Sequence, residues 1–236
     1  MNGIPLPQAA NKRSGVPPLT DGERLTQREF HRRYEAYPKN VKFELIGGIV
    51  YMASPLRIEH SDSDEELGHI LGLYRRRTPG IKHAQNATTI LGDASEPQPD
   101  QGLFILTEFG GRSWFNANGY LEGPPELLGE IAYSTARLDL HVKKVDYEKA
   151  GVLEYIVVSV EAQELHWFHF PSGRKLKPDA AGIYRSRVFP GLWIDGPALL
   201  ACNSRQLTKV LRQGLASPEH AAFVKRLRIA HKKHKK

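Results

Sequence analysis

Three charged side chains stand in a pattern that could carry hydrolytic chemistry. Asp100 follows two prolines and shortly precedes an apolar run at 103–106. Glu130 stands inside a second apolar run, at 127–132, and Lys143 follows in the next predicted helix. Two carboxylates on neighbouring strands can hold Mg²⁺ through oxygen ligands, and the metal with a nearby lysine can drive phosphodiester hydrolysis. A structural ion pair between Glu130 and Lys143 is the competing interpretation, because a buried carboxylate needs a partner.

The segment Glu126–Val160 must position two of these residues, and its pattern predicts a strand, a helix and a strand. The second strand, Tyr155–Val160, is rich in β-branched residues, as buried parallel strands are. In the helix, three apolar residues at i, i+4 and i+7 are expected to face the core: Leu138, Val142 and Val145. A second set, at i, i+4 and i+8, shares an adjacent face: Asp139, Lys143 and Tyr147. This adjacency should bring Lys143 close to Glu130.

An ordered series of segments resembles one known family. The segments are FELIGG (43–48), PQPD (97–100), GPPELLGEIA (123–132), DLHVKKVDYEKAGVLEYIVV (139–158) and VFPGLWIDGPALL (188–200). Together they resemble the Uma-type restriction endonuclease family of the PD-(D/E)XK nuclease superfamily, over roughly residues 25–225. No single segment is specific, but their order is. The resemblance implies an α/β (α+β) restriction-endonuclease-like core, with a central mixed β-sheet flanked by helices.

The resemblance also implies roles for individual residues. Asp100 matches the acid of the PD motif and Glu130 matches the (D/E) position, so both are expected to bind Mg²⁺ or Mn²⁺. Ala132 stands where the superfamily motif has a lysine. Lys143, on the following helix, matches the lysine that this family carries instead, and is expected to position or help activate the water. Glu44 matches an additional upstream acid, which would assist as a ligand or base.

These assignments keep competing interpretations. Glu44 lies in a predicted hairpin, Val41–Met52, where strand alternation alone favours an exposed carboxylate. Lys144 stands next to Lys143 and competes with it for the role of active-site lysine. The lysine missing at position 132 also leaves open a catalytically silent nuclease-fold module that binds nucleic acid or protein. Hydrolysis of another phosphorylated substrate is a third alternative.

The expected function is that of a metal-dependent endonuclease that hydrolyses phosphodiester bonds, with DNA as the substrate and partner. A homodimer would suit this function, because cutting both strands takes two active sites. The chain has 236 residues, 40% of them hydrophobic, and a single cysteine, Cys202, which excludes a disulfide framework. No apolar run is long enough to span a bilayer and the N-terminus lacks a signal-peptide pattern, so we expect a cytoplasmic protein without a membrane partner.

The net charge of +7 is concentrated at the C-terminus. Residues 225–236 contain seven Lys or Arg and no acid, which leaves 26 basic and 26 acidic residues in the remainder. We therefore predict a flexible leader at 1–22, a nuclease-like domain at 23–224 and a basic tail at 225–236. Such a tail could bind nucleic-acid backbones, and a disordered solubilising end is the competing interpretation.

Two helices are predicted before Asp100. The first should begin at a capping box, Thr26 with Glu29, and run from Gln27 to about Tyr37.

A loop, Ser54–Arg57, should lead to the second helix, from about Glu59 to Arg77. This helix carries an apolar stripe at i, i+3, i+4 and i+7: Leu67, Ile70, Leu71 and Tyr74. The acidic residues of its first turns are expected to complement the helix dipole rather than to hold a metal, and His60 is interpreted as an active-site-rim group. Ile81–Leu91 should form a strand that pairs with the strand after Asp100.

Overall fold

A six-stranded mixed β-sheet is the centre of this computed structural model, which describes residues 15–38, 40–52, 58–133 and 136–235. In spatial order its strands are β11 (Arg174–Lys175), β10 (Glu164–His169), β9 (Glu154–Ser159), β8 (Leu127–Ala132), β5 (Gln101–Ile105) and β3 (Ile81–Gln85). β8 and β9 run parallel, and the other neighbours run antiparallel. The parallel pair confirms the predicted strand–helix–strand unit.

Shorter strands form three small sheets in the described residues. They are β1 (Phe43–Ile46) with β2 (Ile49–Met52), β4 (Thr89–Ile90) with β7 (Leu121–Glu122) and β6 (Trp114–Phe115), and β12 (Ile183–Arg185) with β13 (Trp193–Asp195). The strand predicted over Ile81–Leu91 is therefore two strands, β3 and β4. Asn86 adopts a left-handed φ of 49° between them, which interrupts the extended backbone. β3 pairs with β5, as predicted.

Helices cover both faces of the sheet. They are α1 (Gln27–Tyr34), α2 (Ile58–Arg77), α3 (Lys144–Ala150), α4 (Gly196–Leu200), α5 (Ser204–Leu215) and α6 (Pro218–His234). The apolar stripe predicted for α2 is fully buried and packs on Leu127 and Ile131 of β8. Alternate residues of β8, Leu128 and Ala132, join a second cluster with Tyr147 of α3. A mixed sheet flanked by helices confirms the predicted fold class.

The predicted hairpin is β1–β2, and Gly47 and Gly48 supply its positive φ angles of 57° and 80°. α1 begins as predicted, with Thr26 Oγ1 accepting a hydrogen bond from the backbone N of Glu29. The second half of the predicted capping box is wrong. The Glu29 carboxylate instead accepts hydrogen bonds from arginines of the next turn.

The helix after β8 differs from its predicted orientation. Val142 and Val145, expected to face the core, are 39% and 45% exposed. Asp139, Lys143 and Tyr147 are the buried residues instead. The helix begins with a π-helical stretch, Leu138–Lys143, and continues as α3. The predicted apolar stripe was wrong because the buried face carries Asp139 and Lys143 with their polar partners, beside the apolar contacts of Tyr147 and Leu140.

Both ends of the described chain pack against the domain. Leu19 is buried in a cluster with the β1–β2 hairpin, although residues 15–22 were predicted to be part of a flexible leader. α6 extends to His234, with Leu227 buried and the His231 ring stacked on Phe109 at 4.3 Å. The basic C-terminal segment is thus helical through position 234 rather than a disordered end. The predicted loop Ser54–Arg57 and residues 1–14 lie outside the described residues.

A search of the described residues for a helix both long and apolar enough to cross a membrane finds none.

Candidate active site

Glu130 occupies the centre of a buried polar cluster. It lies on β8 with its side chain on the α3 side of the sheet, and the residue is only 3% exposed. Its Oε1 accepts hydrogen bonds from Lys143 Nζ at 3.1 Å and from the Tyr147 hydroxyl at 2.7 Å. The spacing of four residues between Lys143 and Tyr147 places both donors on one helix face. The buried carboxylate is therefore held by two donors from a single helix.

Lys143 joins three carboxylates. Its Nζ lies 2.9 Å from Glu44 Oε2, 3.1 Å from Glu130 Oε1 and 3.7 Å from Asp139 Oδ1. Burial lowers the pKa of Lys143, but the surrounding carboxylates outweigh burial and hold its pKa well above the ordinary value. Lys143 is consequently a protonated lysine at neutral pH. Such a group can donate hydrogen bonds and attract anions, but it cannot accept a proton.

Glu44 reaches this cluster from the β1–β2 hairpin. Leu45, the next residue, exchanges two backbone hydrogen bonds with Glu96, which ties the hairpin to the chain leading into β5. Glu44 Oε1 accepts a hydrogen bond from the backbone N of Gln98 at 2.7 Å. The Glu44 side chain is 14% exposed, so the carboxylate beside Lys143 remains accessible. Strand alternation favoured an exposed carboxylate at Glu44, and this interpretation is wrong.

Asp100 stands directly before β5, beside the strand that carries Glu130. Its Oδ2 accepts a hydrogen bond from the backbone N of Ile131 at 2.8 Å and lies 3.4 Å from His60 Nε2. Burial alone lowers the pKa of His60, but the carboxylates around it, led by Asp100, raise the pKa above its ordinary value. The structure therefore brings together all the predicted site residues: Glu44, Asp100, Glu130 and Lys143.

Lys144, the competing lysine, points elsewhere. Its Nζ lies 3.9 Å from Glu148 and 5.2 Å from the centre of the Phe168 ring. Only Lys143 of the two contacts the carboxylates of the site.

Protonation of the cluster is set by burial and charge together. Burial raises the pKa of Glu130 well above its ordinary value of 4.5, Lys143 opposes this, and the neighbouring acids reinforce it. Burial also raises the pKa of Tyr147 well above its usual range, so the phenol stays a hydrogen-bond donor. The cluster has more carboxylates than cations, and this excess of negative charge favours a further cation.

The profile of the family Uma2, described as "Putative restriction endonuclease", matches residues 28–198. The chain belongs to the Uma2 family. This confirms the resemblance inferred from the sequence, although the match ends before the predicted limit near residue 225. A comparison with curated proteins found no match.

A solved structure shares the fold of this Uma2-family chain. It is the crystal structure of a putative nuclease belonging to DUF820, from Anabaena variabilis. The TM-score is 0.51 at 17% identity, and the alignment covers 72% of this chain and 97% of the other. At this identity the likeness shows the fold alone. The fold is thus the restriction-endonuclease-like fold that the sequence predicted.

The donor set fits a hard divalent cation at Asp100 and Glu130. Among the described residues, no group of three or more His, Cys, Asp or Glu side chains is arranged to hold a metal ion. Mg²⁺ nevertheless usually binds through one or two carboxylates, with waters and substrate phosphates as its other ligands. The contacts given above use one oxygen of each carboxylate, Oδ2 of Asp100 and Oε1 of Glu130. The second oxygen of each carboxylate would serve as the ligand for such an ion, with Asp100 on the groove side and Glu130 in the buried interior.

Sequence reasoning missed part of the surroundings of Asp100. Gln101 Nε2 donates to Asp64 Oδ1 at 2.6 Å, and His83 Nε2 lies 2.6 Å from Gln101 Oε1. Burial raises the pKa of Asp64. Asp64 was assigned to the helix dipole, and Gln101 gave no signal beyond its place next to Asp100. His60, interpreted as a rim group, contacts Asp100 directly and lines a groove of about 490 Å³.

Proposed function

We propose that this Uma2-family chain is a metal-dependent endonuclease that hydrolyses phosphodiester bonds in DNA. The observation that carries the proposal is the convergence of three carboxylates and one protonated lysine, from β1, β5, β8 and the helix after β8, beside a groove that reaches Asp100. A negatively charged cluster next to an open groove suits a reaction that needs both a cation and access for a polymer. A homodimer that cuts both strands stays a prediction.

In this proposal Asp100 and Glu130 hold Mg²⁺ or Mn²⁺. When bound, the ion would lower the pKa of a water ligand and stabilise negative charge on the phosphate. The backbone N of Ile131 orients Asp100 by donating to Oδ2, and the Tyr147 hydroxyl and Lys143 orient Glu130. These contacts fix the positions of both carboxylates before the substrate arrives.

Lys143 acts in this proposal as a cation rather than as a base. Its raised pKa keeps the ammonium protonated, so it can position Glu44 and Glu130 and attract the phosphate group. Glu44, which is partly exposed and held by Gln98 N, is the carboxylate best placed to accept a proton or to complete the metal site. This differs from the sequence-based expectation that Lys143 could help activate the water.

Plasmid nicking by the purified chain, with Mg²⁺, with Mn²⁺ and with chelator, tests the proposal. Asp100→Asn can still accept from Ile131 N, so the expected result is a folded variant without metal-dependent cutting. Lys143→Met should also lose activity, whereas Lys144→Met, the matched control, should keep it. Cutting by Asp100→Asn at the wild-type rate would refute the assignment of the metal ligand.

A catalytically silent nuclease-fold module is the second candidate. The observation that favours it is the absence of the motif lysine at Ala132, together with the engagement of Lys143 by carboxylates in the free protein. In this case the folded protein would cut neither duplex, single-stranded DNA nor RNA with any divalent metal, but would still bind nucleic acid or a protein.

A further inference from the structure

Helix α2 has opposite charges at its two ends, and a groove of about 490 Å³ follows it. Near its start, His60 and Asp64 line the groove beside Asp100. In its last turn, Arg75 and Arg76 line the same groove. The groove therefore leads from the proposed metal ligand to a pair of exposed arginines. From residue 60 to residue 76 the helix advances about 24 Å.

Two glycines on one ridge of α2, Gly68 and Gly72, line this groove and leave it free of side chains there. A Cβ at Gly68 would lie 2.5 Å from Gln85 Nε2, so a larger residue there would require the Gln85 side chain to move. A Cβ at Gly72 would meet only His83 Nδ1, at an ordinary 3.7 Å. The groove at Gly72 is thus open, and a side chain added there would fill it without disturbing the neighbours.

A second depression, of about 520 Å³, continues from the first over helix α5. His69 lines both depressions and its Nε2 lies 3.1 Å from Thr208 Oγ1. Three exposed basic residues at i, i+4 and i+7 of α5 line the second depression: Arg205, Lys209 and Arg212. The Ser204 hydroxyl donates a hydrogen bond to Glu66, and Thr208 hydrogen-bonds His69. Helices α5 and α2 therefore run side by side in the same direction.

The basic residues of the two depressions are Arg75, Arg76, Arg205, Lys209 and Arg212. In the part of the chain that the structure describes, none of them lies within ion-pair distance of a carboxylate. Arg32 and Arg33 of α1, by contrast, both pair with Glu29. Exposed cations that are not neutralised internally remain available to an external polyanion.

We propose that these five residues form a binding track for the phosphate backbone of a nucleic acid that extends away from the cleavage site at Asp100. The inference rests on the proposed function, because it takes the ligand to be the nuclease substrate. A length of about 24 Å corresponds to about seven base-pair steps of 3.4 Å, enough for several phosphate contacts. The acidic residues that line the groove, such as Asp64, lie at the end near Asp100, where a bound metal ion would offset their negative charge. Charge complementarity thus selects a polyanion for the rest of the track.

Binding of a fluorescently labelled duplex, followed by anisotropy at several salt concentrations in chelator, tests the track without requiring cleavage. The test variant is Arg205→Gln/Lys209→Gln/Arg212→Gln. The matched control is Lys149→Gln/Arg174→Gln/Lys177→Gln, which removes the same charge from exposed positions on α3 and in and near β11, the strand at the opposite edge of the central sheet from β3. Each lost phosphate contact lowers the slope of log K against log salt by about 0.9. The slope of log K against log salt should therefore fall in magnitude by about two to three in the track variant and by well under one in the control.

A steric variant supports the test without a change of charge. Gly72→Met should weaken duplex binding while keeping the salt slope, whereas Gly72→Ala, whose Cβ makes only an ordinary contact, should bind as wild type. Equal slope losses in the track and control variants would overturn the proposal, as would release of the duplex by polyglutamate at equal charge. If wild type binds the duplex through the track but cuts no substrate, the proposed nuclease activity alone is refuted. If wild type cuts and the track variant binds the duplex with the wild-type salt slope, the track alone is refuted.

Discussion

Lys143→Met should expose how the buried cluster contributes to stability. Methionine keeps most of the apolar stem but removes the ammonium that contacts Glu130 and Glu44. Glu130 is then a buried carboxylate with one remaining donor among those described above, the Tyr147 hydroxyl. Removing one partner of a buried ion pair typically costs 3–5 kcal/mol, because it leaves the other charge uncompensated.

Proton uptake limits the size of this effect. Protonating a carboxyl group whose ordinary pKa is 4.5 costs about 3.4 kcal/mol near pH 7 and about 0.7 kcal/mol near pH 5, at about 1.36 kcal/mol per unit. The loss of unfolding free energy relative to wild type should therefore be at most about 3 kcal/mol near pH 7 and at most about 1 kcal/mol near pH 5, because the Glu130 pKa is already raised in wild type. The sign follows from Lys143, which lowers the Glu130 pKa in wild type. Without Lys143 the folded-state pKa rises further above the unfolded value, so the loss is smallest below the unfolded pKa and grows as pH rises through the folded pKa.

Urea unfolding of wild type and variant at both pH values measures these losses. A loss of 3 kcal/mol corresponds to a decrease in melting temperature of roughly 6–12 °C for a chain of this size. Glu130→Gln/Lys143→Met also removes the charge of Glu130 and should be more stable than Lys143→Met near pH 7, although Glu44 and Asp139 still lose their contact with Lys143. Lys144→Met, whose ion pair is partly exposed, should cost less than about 1 kcal/mol. A loss for Lys143→Met that is the same at both pH values would refute the reasoning.

Substitutions at three further positions test other parts of the fold by chemical unfolding. Glu154→Leu removes a buried acceptor from the backbone N of Arg187, at 2.7 Å, and from the Ser186 hydroxyl, and should cost about 2–3 kcal/mol. Burial raises the pKa of Glu154, so the stability of wild type relative to Glu154→Gln should fall as pH rises above about 4.5; a difference independent of pH would contradict this. Gly111→Ala would place a Cβ 1.7 Å from the Ile105 carbonyl oxygen and should cost about 3 kcal/mol; an unchanged midpoint would refute the contact. Thr26→Ala removes the helix cap and should cost about 1 kcal/mol, and no loss would mean that water replaces it.

The elements that carry the site were predictable because their sequence patterns are local. The buried stripe of α2, the glycine turn between β1 and β2 and the parallel pair β8–β9 all follow from periodicity or turn chemistry. The family resemblance added the positions of Glu44 and Lys143, which spacing alone could not relate to each other. They are 99 residues apart in sequence, and their contact depends on how the hairpin docks beside β5.

Predictions failed where polar partners override hydrophobic patterning. Val142 and Val145 resemble a core-facing stripe, but the helix turns its polar residues inward because Glu130 requires a donor. The capping box failed for a related reason, since Glu29 has two arginines within reach on its own helix. The arginines at i+3 and i+4 were visible in the sequence, whereas the contact of Glu130 with the next helix depends on tertiary packing, which the pattern of Val142 and Val145 does not encode.

The π-helical stretch at Leu138–Lys143 makes the position of Lys143 sensitive to the number of residues in this turn. A π-helical turn holds one residue more than an α-helical turn over a similar rise. Deletion of a single residue inside this stretch would convert it to a regular α-helix, and every side chain on one side of the cut would rotate by about 100°. Lys143 and Tyr147 could then no longer both face Glu130 while Asp139 kept its place. Substitutions in this turn are therefore expected to be tolerated better than a change in its number of residues.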